Sequence, residues 1–236
     1  MKTILHLADS RGHENHDWLD THYTFSFSNY NNPKRMHFGT LRVLNDEVIA
    51  PGKGFGMHSH QNMEIVSIPL EGELEHKDNM GNLSIVKSGD IQVMSAGAGL
   101  VHSERNNSKD EPLSLLQIWL FPTKKQVSPR HDHQVIENHK INTFNPILTP
   151  YKDDSKVWIC QNAWFYWSEF DEGISQTYRT NLPENGLYIF VVEGSVKVEN
   201  QVLDRRDGYG IWDFEKINIT ATKNSKILLM DVPMTL

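Results

Sequence analysis

Two histidines stand one residue apart, His58 and His60, inside "GKGFGMHSHQNMEI". On an extended strand, residues i and i+2 project from one face with their backbones roughly 6 to 7 Å apart, so both imidazoles can approach one cation. A second pair with that spacing follows, His102 and Glu104 in "AGAGLVHSERN". Two such pairs on adjacent antiparallel strands of a small barrel converge on one point. Three neutral imidazoles and one carboxylate suit a first-row divalent ion, Fe(II) above all, and a six-coordinate ion would keep two positions open. These ligands bring one negative charge to a 2+ ion, so the site stays net positive and Lewis acidic and welcomes an anionic oxygen ligand. The His58–His60 pair alone reads equally well as hydrogen-bonded histidines on a half-buried face; the recurrence of the geometry at His102 and Glu104 favours a metal.

The elements that would hold these pairs are strands. In "HYTFSFS" the residues Tyr23, Phe25 and Phe27 alternate with Thr24, Ser26 and Ser28, the two-residue period of a half-buried strand. Turn signals recur at Asn31-Asn32-Pro33, Pro51-Gly52, Asp78 to Asn82, Ser88-Gly89-Asp90 and Asn106-Asn107, which predicts short strands joined by hairpins in a sandwich or barrel. From Phe121 to about Ser155 the pattern breaks around prolines 122, 129, 146 and 150, the composition of a connection. Alternation then resumes in "CQNAWFYWSEF" and "GLYIFVVEGSVKVENQVL". The expected organisation is therefore all-β, with an amino-terminal metal-binding domain at 1–125, a connection at 126–155 and a second β domain at 156–236. A weak internal repeat agrees: "PLEGELEH" resembles "VVEGSVKV", and "SGDIQVMSA" resembles "RDGYGIWDF". Counting back from Gly194 by the offsets of His58 and His60 from Gly72 reaches Thr180 and Leu182, and no histidine follows His139. One metal per chain is expected, in the first domain.

The chain has 236 residues, with 23 Lys and Arg against 30 Asp and Glu, a formal charge of −7. That field repels phosphate backbones, so no direct nucleic-acid binding is expected. Cys160 is the sole cysteine, which excludes an internal disulfide and a thiolate metal cluster. No apolar run reaches the length of a membrane span, and the first residues lack a signal-peptide core. The expectation is a soluble, cytoplasmic, monomeric protein without a membrane partner.

These motifs carry a family resemblance. Gly52, His58-Ser59-His60, Glu64 and Gly72 look like the first motif of the cupins; Gly89, Ser95-Ala96-Gly97, His102 and Asn106 look like the second. "HSHQNMEIVSIPLEGELEHKDNMGN" and "SGDIQVMSAGAGLVHSE", with the upstream "RGHENHDWLDTHYTFSFSNYNNPKRMHFGTLRVLNDEVIAPGKGF", resemble the pirin family of bicupins from about Arg11 to Gln126. The last hundred residues match in outline. Ser95 stands where the general cupin pattern has proline, and four residues separate Gly97 from His102, as is usual among pirins. The resemblance implies two tandem jelly-roll barrels, the second degenerate. It also implies that the carboxylate ligand is Glu104 rather than Glu64, the position many other cupins use. Strand parity does not choose between them if the strand stays regular from residue 58 to 64.

By the same resemblance to bacterial pirin-like proteins, the expected activity is that of a quercetin 2,3-dioxygenase, which opens a flavonol ring and releases carbon monoxide. The cofactor would be one divalent ion per chain, Fe(II) first, with Ni, Cu, Mn and Zn as alternatives, and the partners a small hydroxylated aromatic and O₂. Glu64 is the first candidate for a base that accepts the substrate's hydroxyl proton. The alternative is a metal-containing redox-sensing regulator that binds a protein partner without turnover. Phe55, Met57, Met63, Met94 and Leu100 are read either as a hydrophobic mouth or as core. His76 is read as a hairpin support, "WFYW" at 164–167 as core and interdomain packing, and Cys160 as inert within an apolar strand. His13 and His16 would need a helix to meet, and nothing nearby in the sequence completes a site around them.

Overall fold

The computed structural model describes residues 1–136, 140–152 and 157–236. These residues are strand and loop with one 3-10 turn, Ala8–Ser10, and no helix long and apolar enough to cross a membrane. Two sheets build each of two units. In the first, a seven-stranded sheet runs in the order Arg130–Val135, Asp90–Ser95, Glu64–Glu71, Leu113–Leu120, Leu41–Ile49, Leu19–Tyr23, Gly12–Asn15. Its partner is a four-stranded sheet of Gly54–His60, Leu100–Asn106, Glu73–Asp78 and Leu83–Lys87. The second unit repeats this plan with Lys2–His6, Gly208–Trp212, Asn185–Glu193, Ser225–Pro233, Trp164–Phe170, Asn145–Thr149 and Val157–Trp158. Its smaller sheet holds Ser175–Arg179, Lys216–Ala221, Ser195–Val198 and Gln201–Asp204.

The internal repeat corresponds to equivalent strands. Gly72 and Gly194 both sit at φ 83 between the two sheets of their units, where a left-handed backbone favours glycine. A side chain there would run into the start of the closing strand, at Pro112 and Leu113 for Gly72 and at Asn224 and Ser225 for Gly194. The strand before each glycine carries the same irregularity, between Pro69 and Glu71 and between Val191 and Glu193.

The central strands of the seven-stranded sheets are buried on both faces, which is why Glu64–Glu71 and Asn185–Glu193 read as nearly continuous apolar runs rather than alternating ones. Outward residues of the first large sheet, Val66, Ile68, Leu116 and Ile118, join Phe165, Tyr188, Phe190, Leu228 and Met230 of the second in a single core. Fully burying each such side chain is worth about 1.5–3 kcal/mol, so this shared core holds the units together. Phe165 and Trp167 of the "WFYW" run contribute to it, and Tyr166 packs on the second unit's own core, which agrees with the packing role expected of that run.

Several expectations are corrected. The strand at 23 ends there: Thr24, Phe25 and Ser26 are all buried, and Ser28 turns to φ 50. The 126–155 stretch contains Arg130–Val135, which pairs with Asp90–Ser95 of the first unit, and Asn145–Thr149, which pairs with Trp164–Phe170 of the second. Pro129 directly precedes Arg130–Val135, an edge strand of its sheet, and Pro146 lies beside a register shift within Asn145–Thr149. Lys2–His6 crosses to pair with Gly208–Trp212, so pairing changes hands at places other than residues 125 and 156. Cys160 lies in a bend, with its carbonyl accepting from Thr123 N and Oγ1, and burial raises its thiol pKa.

Candidate metal centre

His58 and His102 face each other across the Gly54–His60 and Leu100–Asn106 strands, and His60 lies two residues along, opposite Leu100. The register then shifts, with Glu104 opposite Phe55. This bulge on the Gly54–His60 strand lets Phe55, His58 and His60 all face inward and leaves Met57 exposed. The imidazole centroids lie 4.8 Å apart for His58–His60, 4.4 Å for His58–His102 and 4.9 Å for His60–His102. One ligand nitrogen from each can be chosen so that all lie within 4.8 Å of one another. Ligand bonds of about 2.1 Å span at most ~4.2 Å between trans positions, so small side-chain rotations would close the set on an ion.

His58 Nδ1–H donates to the Gly56 carbonyl at 2.8 Å, which leaves Nε2 as the nitrogen with a free lone pair. His102 is buried, and neither of its ring nitrogens has a hydrogen-bond partner. An orphaned buried imidazole costs stability unless something else binds it, and a cation fits that need. Burial and the neighbouring His58, His60 and His76 push His102 down to about 2, while burial and His58 push His60 down to about 4. Both rings are therefore neutral, the ligating form, at ordinary pH.

Glu104 belongs to a second group of ligand atoms, with His102 and His76. Its Oε1 accepts from Ser67 Oγ at 3.1 Å and its Oε2 from Gln117 Nε2 at 2.8 Å, while burial raises its pKa to about 7. His76 has less capacity to ligate: Gln92 Nε2 donates to its Nδ1 at 3.4 Å, and its Nε2–H donates to Asp78 at 3.3 Å. Asp78 in turn accepts from Met80 N and from Asn82 N and Nδ2, so His76 braces the hairpin turn, as expected of it.

The three imidazoles and Glu104 line one cavity of about 430 Å³, whose remaining wall includes Trp18, Phe27, Phe55, Ile65 and Trp119. Trp119 meets His60 edge-on at 4.8 Å. Of the apolar residues proposed for a mouth, Phe55 lines the cavity, whereas Met63, Met94 and Leu100 pack in a small core with Ile65 and Trp119.

Glu64 is not brought to this cavity. The turn at 61–63, with Asn62 at φ 51, resets the parity expected from a regular strand. Glu64 then shares its face with Val66 and Ile68, toward the second unit, while Ile65 faces the cavity. Its carboxylate accepts from Ser95 Oγ at 2.7 Å and from the Cys160 backbone, and burial raises it to about 7 against the attraction of Arg130. Besides Glu104, the carboxyl group that lines the cavity is Glu47, with Asn45 beside it. Asn45 Nδ2 donates to Glu47 Oε1 at 3.3 Å, Glu47 Oε2 has no partner, and burial together with Glu104 raises Glu47 to about 8. Sequence reading missed Asn45, Glu47, Ser67 and Gln117. The available signal was polar residues at inward positions of otherwise apolar strands, "LRVLNDEVI" and "LSLLQIWL".

His13 and His16 do not meet. His16 turns to Glu14 at 3.2 Å, whereas His13 lies across the strand pair from His22, a partner that local sequence spacing did not reveal.

The Pirin family model matches residues 5–120, and the model of the Quercetinase C-terminal cupin domain matches residues 146–232. A protein named quercetin 2,3-dioxygenase from Escherichia coli (strain K12) is 40% identical over 97% of this chain and 98% of its own length. The crystal structure of the bacterial pirin YhhW from Escherichia coli in complex with nickel(II) superposes with a TM-score of 0.93 at 38% identity, covering 98% of this chain and 99% of that one. A structure of a quercetin 2,3-dioxygenase from Acinetobacter baumannii, 20% identical with a TM-score of 0.77 over 94% of this chain and 85% of its own, shares the fold.

Proposed function

The chain belongs to the pirin family of bicupins, and we propose that it is a metal-dependent dioxygenase that opens flavonols such as quercetin or a related hydroxylated aromatic. The observation that carries this reading is the convergence of His58, His60 and His102 in an aromatic-walled cavity. Relatives that carry the quercetin 2,3-dioxygenase name along nearly their whole length support it. We assign the ion to His58, His60, His102 and Glu104, one per chain at this centre, with Fe(II) as the physiological metal and Ni, Cu, Mn and Zn as ions the same donors accept. When bound, such an ion supplies Lewis acidity to a coordinating hydroxyl and, as iron, a redox partner for O₂.

The chain's own residues do the rest. A cavity of about 430 Å³ falls in the size range of sites for drug-sized aromatic ligands. Trp18, Phe27, Phe55 and Trp119 offer flat apolar walls that hold the rings and exclude water. Ser67 and Gln117 fix the Glu104 carboxylate by one hydrogen bond to each oxygen, the kind of support that sets ligand orientation. Glu47 takes the place first given to Glu64: it lines the cavity and holds or releases a proton near neutral pH at Oε2, the oxygen without a protein partner. Glu64 is assigned to the junction between the units.

Elemental analysis of the purified chain combined with a quercetin turnover assay tests the reading. The expected result is about one transition metal per chain, with O₂ consumption and loss of flavonol absorbance that disappear in His58→Ala and His102→Ala. Bound metal with no turnover on flavonols or related diols would overturn the enzymatic assignment.

A further inference from the structure

We propose that the amino-terminal hairpin carries a second divalent-cation site, built from His13, Asp20 and His22 and suited to Zn(II). The hairpin pairs Gly12–Asn15 with Leu19–Tyr23 antiparallel, His13 opposite His22 and Asn15 opposite Asp20. All four side chains consequently share one face of the sheet in a cross-strand grid. The two imidazoles stack with centroids 4.3 Å apart and planes 15° from parallel. Both aim a ring nitrogen at the same carboxylate oxygen, His13 Nε2 at 2.9 Å and His22 Nδ1 at 3.7 Å from Asp20 Oδ1. One ligand atom from each of the three lies within 4.8 Å of the others.

This is the construction of the central site repeated on another strand pair. There His58 faces His102 and His60 stands two residues along; here His22 faces His13 and Asp20 stands two residues back. Two imidazoles and one carboxylate form a ligand set that zinc uses when it keeps an open coordination position. Asn15 Nδ2 donates to Asp20 Oδ2 at 3.2 Å, which orients the carboxylate and leaves Oδ1 for the cation. The side chains are 50%, 41% and 38% exposed, so an ion enters without unfolding anything and retains water. Asp20 and His22 also belong to the wall of the large cleft between the two units, with Arg11, Asp46 and Arg206. The site is independent of the proposed dioxygenase activity.

The test is equilibrium dialysis of the full chain against excess Zn(II), with elemental analysis, beside His13→Ala, His22→Ala and the control His16→Ala. The quantity read is the difference in bound zinc between chain and variant, so the answer does not depend on the occupancy of the central site. The expected result is about one zinc per chain fewer in His13→Ala and in His22→Ala, and no change in His16→Ala. Asp20→Asn, which keeps the side chain's shape, is expected to weaken that zinc at least ~10-fold. Equal zinc in the chain and in His22→Ala, or an equal loss in His16→Ala, would overturn the site.

Discussion

The two barrels are built alike and filled differently. Their aligned registers equate His58, His102 and Glu104 of the first with Tyr178, Ile217 and Ile219 of the second. They likewise equate His76, Ser67 and Gln117 with Val198, Ile189 and Leu229. All six replacements lie in the second barrel's own apolar core. One interior is thus a packed core, and the other keeps buried polar groups, among them the partnerless His102 and Glu47 Oε2. A buried polar atom left unsatisfied costs about 1–3 kcal/mol. The first barrel bears that cost at its functional interior, and the second barrel, with the shared core between the large sheets, supplies compensating apolar burial.

The contrast can be broken most forcefully at His102. His102→Ala is expected to remove the centre's metal and with it all flavonol turnover, measured by metal analysis and O₂ uptake. Next come the two carboxyl groups that sequence parity confuses. Glu47→Gln should lower kcat by about 100-fold, the low end of the range for a general acid or base, and Glu64→Gln should leave kcat unchanged. The reverse result would return the proton-transfer role to the interdomain face.

The confusion between Glu47 and Glu64 shows what was legible. The i and i+2 spacing of His58–His60 and His102–Glu104 exposed the ligand candidates because both pairs lie within single strands. The all-β class and the Gly72–Gly194 repeat were equally local, written in alternation and turn glycines. Glu64 was misplaced because three turn residues between strands erase parity. Glu47, Gln117 and Trp119 reach the cavity only through pairing of Leu41–Ile49 with Leu113–Leu120, information that no local window contains. His22 was hidden from His13 for the same reason.

A substitution in the second barrel has a smaller expected effect. Ile217→His places an imidazole where His102 stands in the first barrel, among Tyr178, Ile219 and other apolar neighbours. It should destabilise the chain by about 1–3 kcal/mol in denaturant titrations without adding a bound metal. A gain of metal there would mean that the apolar surroundings matter less than the backbone geometry.

A further effect concerns pH. Glu47 rises from 4.5 to about 8 in the folded chain, so the folded state holds its proton more tightly than the unfolded state. That contribution is fully present below 4.5 and is lost as pH climbs toward 8, where the ionised group is buried at a cost. In metal-free protein, Glu47→Gln should therefore be more stable than wild type at pH 8, with the difference shrinking as the pH is lowered toward 5. Thermal melts across that range would show it; a difference that grows toward acid would contradict the burial of this carboxyl group.

On the proposed assignment, the first barrel's imidazoles gather one ion and the second barrel's equivalent positions do not. Crystals of the chain loaded with Ni(II) test it through an anomalous difference map at the nickel edge. The expected result is a strong peak bonded to His58, His60, His102 and Glu104, and no density among Tyr178, Ile217 and Ile219. Bound nickel with no peak between those histidines, or a peak within the second barrel, would contradict it.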